Sequence, residues 1–145
     1  MLLDQQEQYS KAQALTATAA STNIIDHLAD RNLGIGHPVI LLIQLDVAAD
    51  DADADETYTA TWQTDDNSGF SSATTLGAVI TITRGDAAGT RYVTVAPPDA
   101  TFERYSRVNY TLANTTPSVT LSAWLLPLVG LENIVDYADN INPLG

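Results

Sequence analysis

No cysteine occurs in the 145 residues. A disulfide framework, a thiolate metal site and a cysteine nucleophile are therefore excluded, and redox chemistry does not fix the compartment. Positive charge is scarce as well: 6 Lys and Arg stand against 18 Asp and Glu, for a formal net charge of −12. A chain so poor in cations is badly suited to neutralise phosphate, so neither nucleic acid nor an anionic membrane surface is an expected partner. Histidine appears only as His27 and His37, without the i, i+4 pairing of a helical zinc motif, and His37 before Pro38 reads as a turn. Long apolar runs are missing too. "PVILLIQLDV" and "AWLLPLVGL" fall well short of the ~20 residues a membrane-spanning helix needs. The opening "MLLDQQEQYSKAQAL" has neither a basic n-region nor a long apolar core, and reads as mature sequence, not a secretory signal. No G-x-S-x-G elbow occurs, and Gly34 and Gly36 precede a strand instead of joining one to a helix, so the dinucleotide fingerprint is absent. The expectation is a protein that is not an enzyme, with no catalytic residue, metal or cofactor.

What is present is a chain 45% hydrophobic, rich enough to fold, and of a length that fits one domain. From Val39 onward, short runs of β-branched and aromatic residues alternate with clusters of Gly, Asp, Asn, Pro and Ser. That is the rhythm of an antiparallel sandwich or barrel. "VILLIQLDV" is apolar on both faces at its start, as a central buried strand would be. "TYTATWQT" puts Tyr58, Ala60 and Trp62 on one face and Thr57, Thr59, Thr61 and Gln63 on the other. A strand is expected over Val79 to Thr83, then "RGDAAGT" as a hairpin connection, "RYVTV" as the return and "APPD" as its stop. "FERYSRVNYTLA" alternates again, with Ser106, Val108, Tyr110 and Leu112 opposite Tyr105, Arg107, Asn109 and Thr111, and "SVTLSAWLL" supplies the last long strand. Alternation predicts a core containing Leu41, Ile43, Trp62, Val79, Val108, Tyr110, Leu121 and Leu125.

Three divisions follow: an N-terminal arm over residues 1–25, a β-sandwich over 26–126 and a C-terminal tail over 127–145. The arm is small and Thr-rich ("ALTATAAST") and suits an extended arm or an edge strand. The tail holds one helical phrase, "LENIVDYA", in which Leu131, Ile134, Val135 and Ala138 share a face. Either end could reach a neighbour or pack on its own domain.

The most acidic stretch runs from Asp46 to Asp66. Counted from Asp51, Asp53 and Asp55 fit the alternation of a calcium loop, but Glu56 stands where a Gly is required and Trp62 where a bidentate Glu is required. A charged, extended and solvated connection is the reading that remains. The tripeptide Arg84–Gly85–Asp86 resembles an integrin ligand, yet in this context reads as an ordinary turn. Four of the six cations, Arg84, Arg91, Arg104 and Arg107, follow the acidic stretch, which suggests an acidic end and a more balanced face.

Taken together, "DQQEQYSKAQALTATAASTNIID", "VILLIQLDV", "TWQTDDNSGFSSATTL", "GTRYVTVAPP" and "RYSRVNYTL" resemble the capsid cement proteins of short-tailed bacteriophages. These are small jelly-roll decoration proteins that bind outside an HK97-type shell. The resemblance implies an all-β, antiparallel jelly-roll-like sandwich that holds junctions between major capsid proteins. It also implies residence on the outer capsid surface of the virion after assembly in the host cytoplasm, and a homo-oligomer, a dimer favoured over a trimer. Capsid contacts are expected from Tyr105, Arg107 and Asn109 on one strand face and from Tyr9 and Lys11 in the arm. The alternative is a carbohydrate- or receptor-binding sandwich of a phage tail or virion surface, with Tyr58 and Trp62, or Tyr105 and Tyr92, stacking on sugar rings.

Overall fold

The alternating segments form strands whose two faces part company as the pattern demands. In the computed structural model, which describes residues 5–30 and 38–128, a 3-10 turn at Gln5–Glu7 leads into ten strands. They are β1 (Gln8–Leu15), β2 (Ala19–Ala20), β3 (Ile25–Asp26), β4 (Val39–Val47), β5 (Thr57–Asp65), β6 (Thr74–Thr75), β7 (Ile80–Ile82), β8 (Arg91–Val95), β9 (Tyr105–Ala113) and β10 (Val119–Pro127). Every pairing is antiparallel. One sheet runs β1-β10-β4-β8; the other runs β2-β9-β5-β6, with β3 beside β9 and β7 beside β5. From β4 onward the longer strands β4, β5, β8, β9 and β10 therefore alternate between two packed sheets, the wiring of a jelly roll.

The core lies between the sheets. Leu41, Ile43 and Leu45 of β4 and Leu121, Ala123 and Leu125 of β10 meet Tyr58, Ala60 and Trp62 of β5 and Val108, Tyr110 and Leu112 of β9. Burying each large side chain contributes roughly 1.5–3 kcal/mol, which makes this layer the main favourable term in the fold. Seven of the eight expected core residues are buried. Val79 is the correction: it is 51% exposed. Gly77 sits at φ +63° and the Ala78 N–H bonds to the Thr94 hydroxyl, so the strand begins one residue later than alternation suggests. Ile80 and Ile82 then take the inward places, and Ile82 faces Tyr58.

Of the two forms its composition allows, the described part of the N-terminal segment takes the edge strand, and this corrects the expectation that Tyr9 is a capsid contact. Gln8–Leu15 is an edge strand paired with β10 over Gln8↔Trp124 to Leu15↔Val119. Register shifts and the positive φ of Ala12 (45°) bend it as β-bulges do. Tyr9 is fully buried, and its hydroxyl lies 2.7 Å from Ser106 Oγ while accepting the Trp62 indole N–H at 2.9 Å. A side chain that completes the core polar network is not free to reach a neighbouring subunit. The phrase "LENIVDYA" and His37 lie outside the described residues.

Candidate interaction surface

β9 runs through the middle of its sheet, between β5 on one side and β2 and β3 on the other. Ser106, Val108 and Tyr110 turn inward, so Tyr105, Arg107 and Asn109 stand on the outer face as the alternation predicts. Their partners on β5 are Asp65, Gln63 and Thr61. The same face continues through Thr59 to Thr111 and Thr81, a run of short hydroxyl side chains. The result is a flat polar surface with one aromatic and one guanidinium rising from it.

Arg107 is held from two sides. Its Nε donates to Gln63 Oε1 at 2.9 Å, and its guanidinium carbon stands 4.2 Å from the centre of the Phe70 ring. Cation–π contact of this kind is worth about 0.5–1 kcal/mol at an exposed site. Phe70 reaches that place through a left-handed backbone, φ +52°, which side chains other than Gly seldom adopt. The loop that imposes it is organised by Asp65. The buried carboxylate accepts the N–H groups of Asn67 and Ser72 at 2.9 and 2.8 Å, and Phe70 N–H bonds to the Asn67 carbonyl at 3.0 Å. The sequence "DDNSGF" reads as a break; nothing in it announces that the loop aims a ring at a cation 37 residues on.

The charges of this face are unevenly satisfied. Arg104 forms a two-pronged pair with Asp26, both N···O distances 3.1 Å, and stacks 4.9 Å from the Tyr105 ring centre. Arg84 likewise pairs with Asp51, at 2.7 Å. Arg107 meets a neutral amide in place of a carboxylate. Hydrogen bonds from backbone N–H groups, Asn67 first, hold the Asp65 carboxyl below the usual range. Asp66 is pushed up by its hydrogen bond with Asp65, then by burial, and Glu103 is pushed up by burial and by the neighbouring carboxylates.

The other candidates fall in different places. Lys11 is exposed, but on β1 in the opposite sheet, so it does not join Arg107. Tyr58 and Trp62 are buried and present no stacking surface. Tyr105 and Tyr92 belong to different sheets, and the Tyr92 hydroxyl bonds to Asp86 and Thr83. Arg84 and Asp86 are both engaged within the domain, by Asp51 and Tyr92, so the tripeptide is a tied turn.

The acidic stretch is more structured than a solvated connection. Glu56 is buried and its carboxylate accepts the N–H groups of Asp53 and Asp55 at 2.8 and 3.1 Å, the first of which also leads in holding its acidity high. Asp55 binds the Thr115 N–H and hydroxyl, and Asp53 binds the Thr116 hydroxyl. Beside it an open groove of about 580 Å³, lined by Asp51, Tyr58, Thr59, Thr81 and Arg84 among others, passes under the Arg84–Asp51 pair.

One feature escaped sequence reasoning altogether. His27 Nε2 lies 2.9 Å from Ser106 Oγ, extending the Tyr9–Trp62 network, and its ring meets Phe102 edge-on at 5.5 Å. Ser106 is fully buried, which makes the histidine–serine contact a packing element. The partners are 79 and 97 residues apart along the chain, and no local pattern links them.

No curated protein matches the chain at a significant level. A protein-family model described as Bbp16 matches residues 9–123, from the buried Tyr9 of β1 to the inward Ala123 of β10. That match covers most of the chain and nearly all of the sandwich, and the chain belongs to the Bbp16 family, a phage-associated protein family.

Proposed function

We propose that this protein is a structural cement, or decoration, protein that binds the outside of a phage shell at junctions of the major capsid protein and stabilises it. Membership in a phage-associated family supports the setting. The observation that carries the reading is Arg107: a guanidinium fixed by Phe70 and Gln63 on a flat sheet face, between Tyr105 and Asn109, with no carboxylate partner among the described residues. Arg and Tyr are enriched at energetically dominant interface positions because each joins large contact area to directed hydrogen bonds. A stiff two-sheet body suits a clamp, and many weak contacts on a fixed lattice become strong through effective concentration. The work is mechanical and calls for no catalytic group or cofactor. The net charge of −12 suits an outer surface remote from packaged DNA. A homo-oligomer matched to local capsid symmetry, a dimer in preference to a trimer, is the form proposed.

Co-sedimentation with expanded shells of the encoding phage tests this. Wild-type protein and Lys11→Ala should decorate them, and Arg107→Ala should bind more weakly while keeping its melting temperature. Failure of the wild-type protein to bind shells, with binding to a glycan panel instead, would overturn it.

A further inference from the structure

The sheets end in unlike edges. Those of the six-stranded sheet are strands of two or three residues, β2, β3, β6 and β7. In the four-stranded sheet β1 forms one edge, with an exposed Lys11 and two register shifts. Short strands, an edge lysine and bulges are devices that stop a sheet from adding a further strand. β8, the other edge, has neither lysine nor bulge: its five residues pair with β4 without a register shift. Val93 and Val95 are 40% and 45% exposed, and Val79, whose neighbour Ala78 bonds to the Thr94 hydroxyl, is 51% exposed beside them. Charge is scarce here too. No Asp, Glu, Lys or Arg occurs from Asn67 to Thr83, and Arg91 stands alone from Thr90 to Pro98 in a chain of net charge −12. Its Nε donates to Gln44 Oε1 at 3.0 Å, which draws the guanidinium back over β4 and leaves the rim clear.

We infer that β8 is the strand through which two copies of this chain join, pairing antiparallel across a two-fold axis so that their four-stranded sheets become one continuous sheet. Backbone parity supplies the bonds. Leu45 N–H takes the Thr90 carbonyl at 2.9 Å and Ala96 N–H takes the Val39 carbonyl at 3.0 Å, so Thr90, Tyr92, Thr94 and Ala96 turn their polar groups toward β4. Arg91, Val93 and Val95 therefore turn theirs to the rim. Gly77 closes on the Val95 carbonyl, so the open stretch is Arg91–Val93, and a two-fold axis beside Tyr92 sets Arg91 of each copy against Val93 of the other. A strand edge paired antiparallel with itself is self-complementary, as a two-fold contact requires. Charge selects the same occupant: two chains of net charge −12 approach closely only where carboxylates are absent, and this rim has none from Thr90 to Pro98. The surface serves the dimer named in the proposed function and rests on that reading. It lies in the sheet opposite the one that carries Arg107, so pairing and shell contact do not compete.

Sedimentation equilibrium of the full chain, without capsid, tests the pairing. Val93→Pro removes an N–H that points away from β4, so it costs the protomer no ladder bond but takes donors from the joint. Val93→Glu places a like charge on each side of the axis. The wild-type protein should be a dimer, as should Ala14→Glu, which charges the opposite edge. Val93→Pro and Val93→Glu should each dissociate on the order of tenfold or more readily while keeping the β spectrum in circular dichroism. A wild-type monomer at every concentration overturns the pairing together with the proposed dimer. A dimer that survives in folded Val93→Pro overturns the edge pairing alone, and loss in Val93→Glu only would then assign the contact to the sheet face instead of its rim. If Val93→Pro does not fold, survival of the dimer in Val93→Glu overturns the pairing. Failure of the dimer to bind shells would sink the cement role and leave this joint standing.

Discussion

Trp62 donates its indole N–H to the Tyr9 hydroxyl at 2.9 Å, and that hydroxyl meets Ser106 Oγ at 2.7 Å, so one phenol ties β1 to both central strands of the opposite sheet. Burial raises the Tyr9 hydroxyl far above its ordinary acidity range, which keeps it a neutral donor and acceptor at any physiological pH. Ser10 repeats the motif one residue on, with its hydroxyl 2.8 Å from that of Tyr110.

Tyr9→Phe keeps the ring but strands the Trp62 N–H in the core, while the Ser106 hydroxyl keeps His27 Nε2 as a partner. Leaving a buried group unsatisfied costs about 1–3 kcal/mol, so chemical denaturation should show a loss of that size. Deleting residues 1–15 should abolish cooperative unfolding, because it removes an entire paired strand with Tyr9 and Leu15. A truncated protein with wild-type stability would mean that β1 is an ornament.

Gly77 lies at φ +63°, and an added Cβ would stand 2.7 Å from the Val95 carbonyl oxygen, a backbone atom that cannot easily yield. Gly77→Ala should therefore destabilise by about 1–3 kcal/mol in a thermal melt. Gly89 shares the left-handed backbone, φ +91°, but has open space around it. Gly89→Ala should cost only the conformational part, about 1 kcal/mol. Equal losses at both positions would show that the contact with β8 is unimportant.

The carboxylates at the end of β5 predict opposite responses to acid. Asp65 is held low by the Asn67 and Ser72 N–H groups, so it favours the fold above its unfolded-chain value and this support is lost as pH falls through its depressed folded value. Asp66 is raised, so its contribution is present below the unfolded value and is lost as pH rises through its folded value. Asp65→Asn should lower the melting temperature at pH 7, with the gap to wild type closing in the acid range below the unperturbed value of about 4. Asp66→Asn should raise it at pH 7. Melting curves across pH 3–8 decide, and a pH-independent gap for Asp65→Asn would remove the carboxylate from the account.

Period-two alternation made the sandwich legible before any coordinates, because one side of each long strand must be buried and a side chain's face follows from its parity. The same parity placed Tyr105, Arg107 and Asn109 outward. It misassigned Val79 because Gly77 and Ala78 delay the strand, a shift that depends on the Thr94 hydroxyl of another strand. The small and polar composition of residues 8–15 leaves arm and edge strand both open; what it hides is the core role of Tyr9, whose partners lie 53 and 97 residues away. Glu56 was hidden for the complementary reason: a carboxylate among many reads as solvated until its backbone partners are in place.

Phe70 is the support under the proposed contact, and substituting it separates presentation of Arg107 from its charge. Phe70→Leu keeps an apolar group at a position only 7% exposed but removes the ring face on which the guanidinium rests. The stability change should stay within about 1.5 kcal/mol, the range of tolerated apolar swaps. Binding to expanded shells should still fall, because Arg107 must then be ordered at the moment of docking and that ordering costs about 0.5–1.5 kcal/mol per immobilised side chain. Arg107→Lys should fall further than Phe70→Leu, since a lysine retains charge but loses the planar fork that both Gln63 and a capsid carboxylate or carbonyl would engage. Raising salt should weaken wild-type and Phe70→Leu binding in parallel and affect Arg107→Ala least. If Arg107→Ala binds shells as tightly as wild type and with the same salt dependence, the outer face of the six-stranded sheet is not the docking surface.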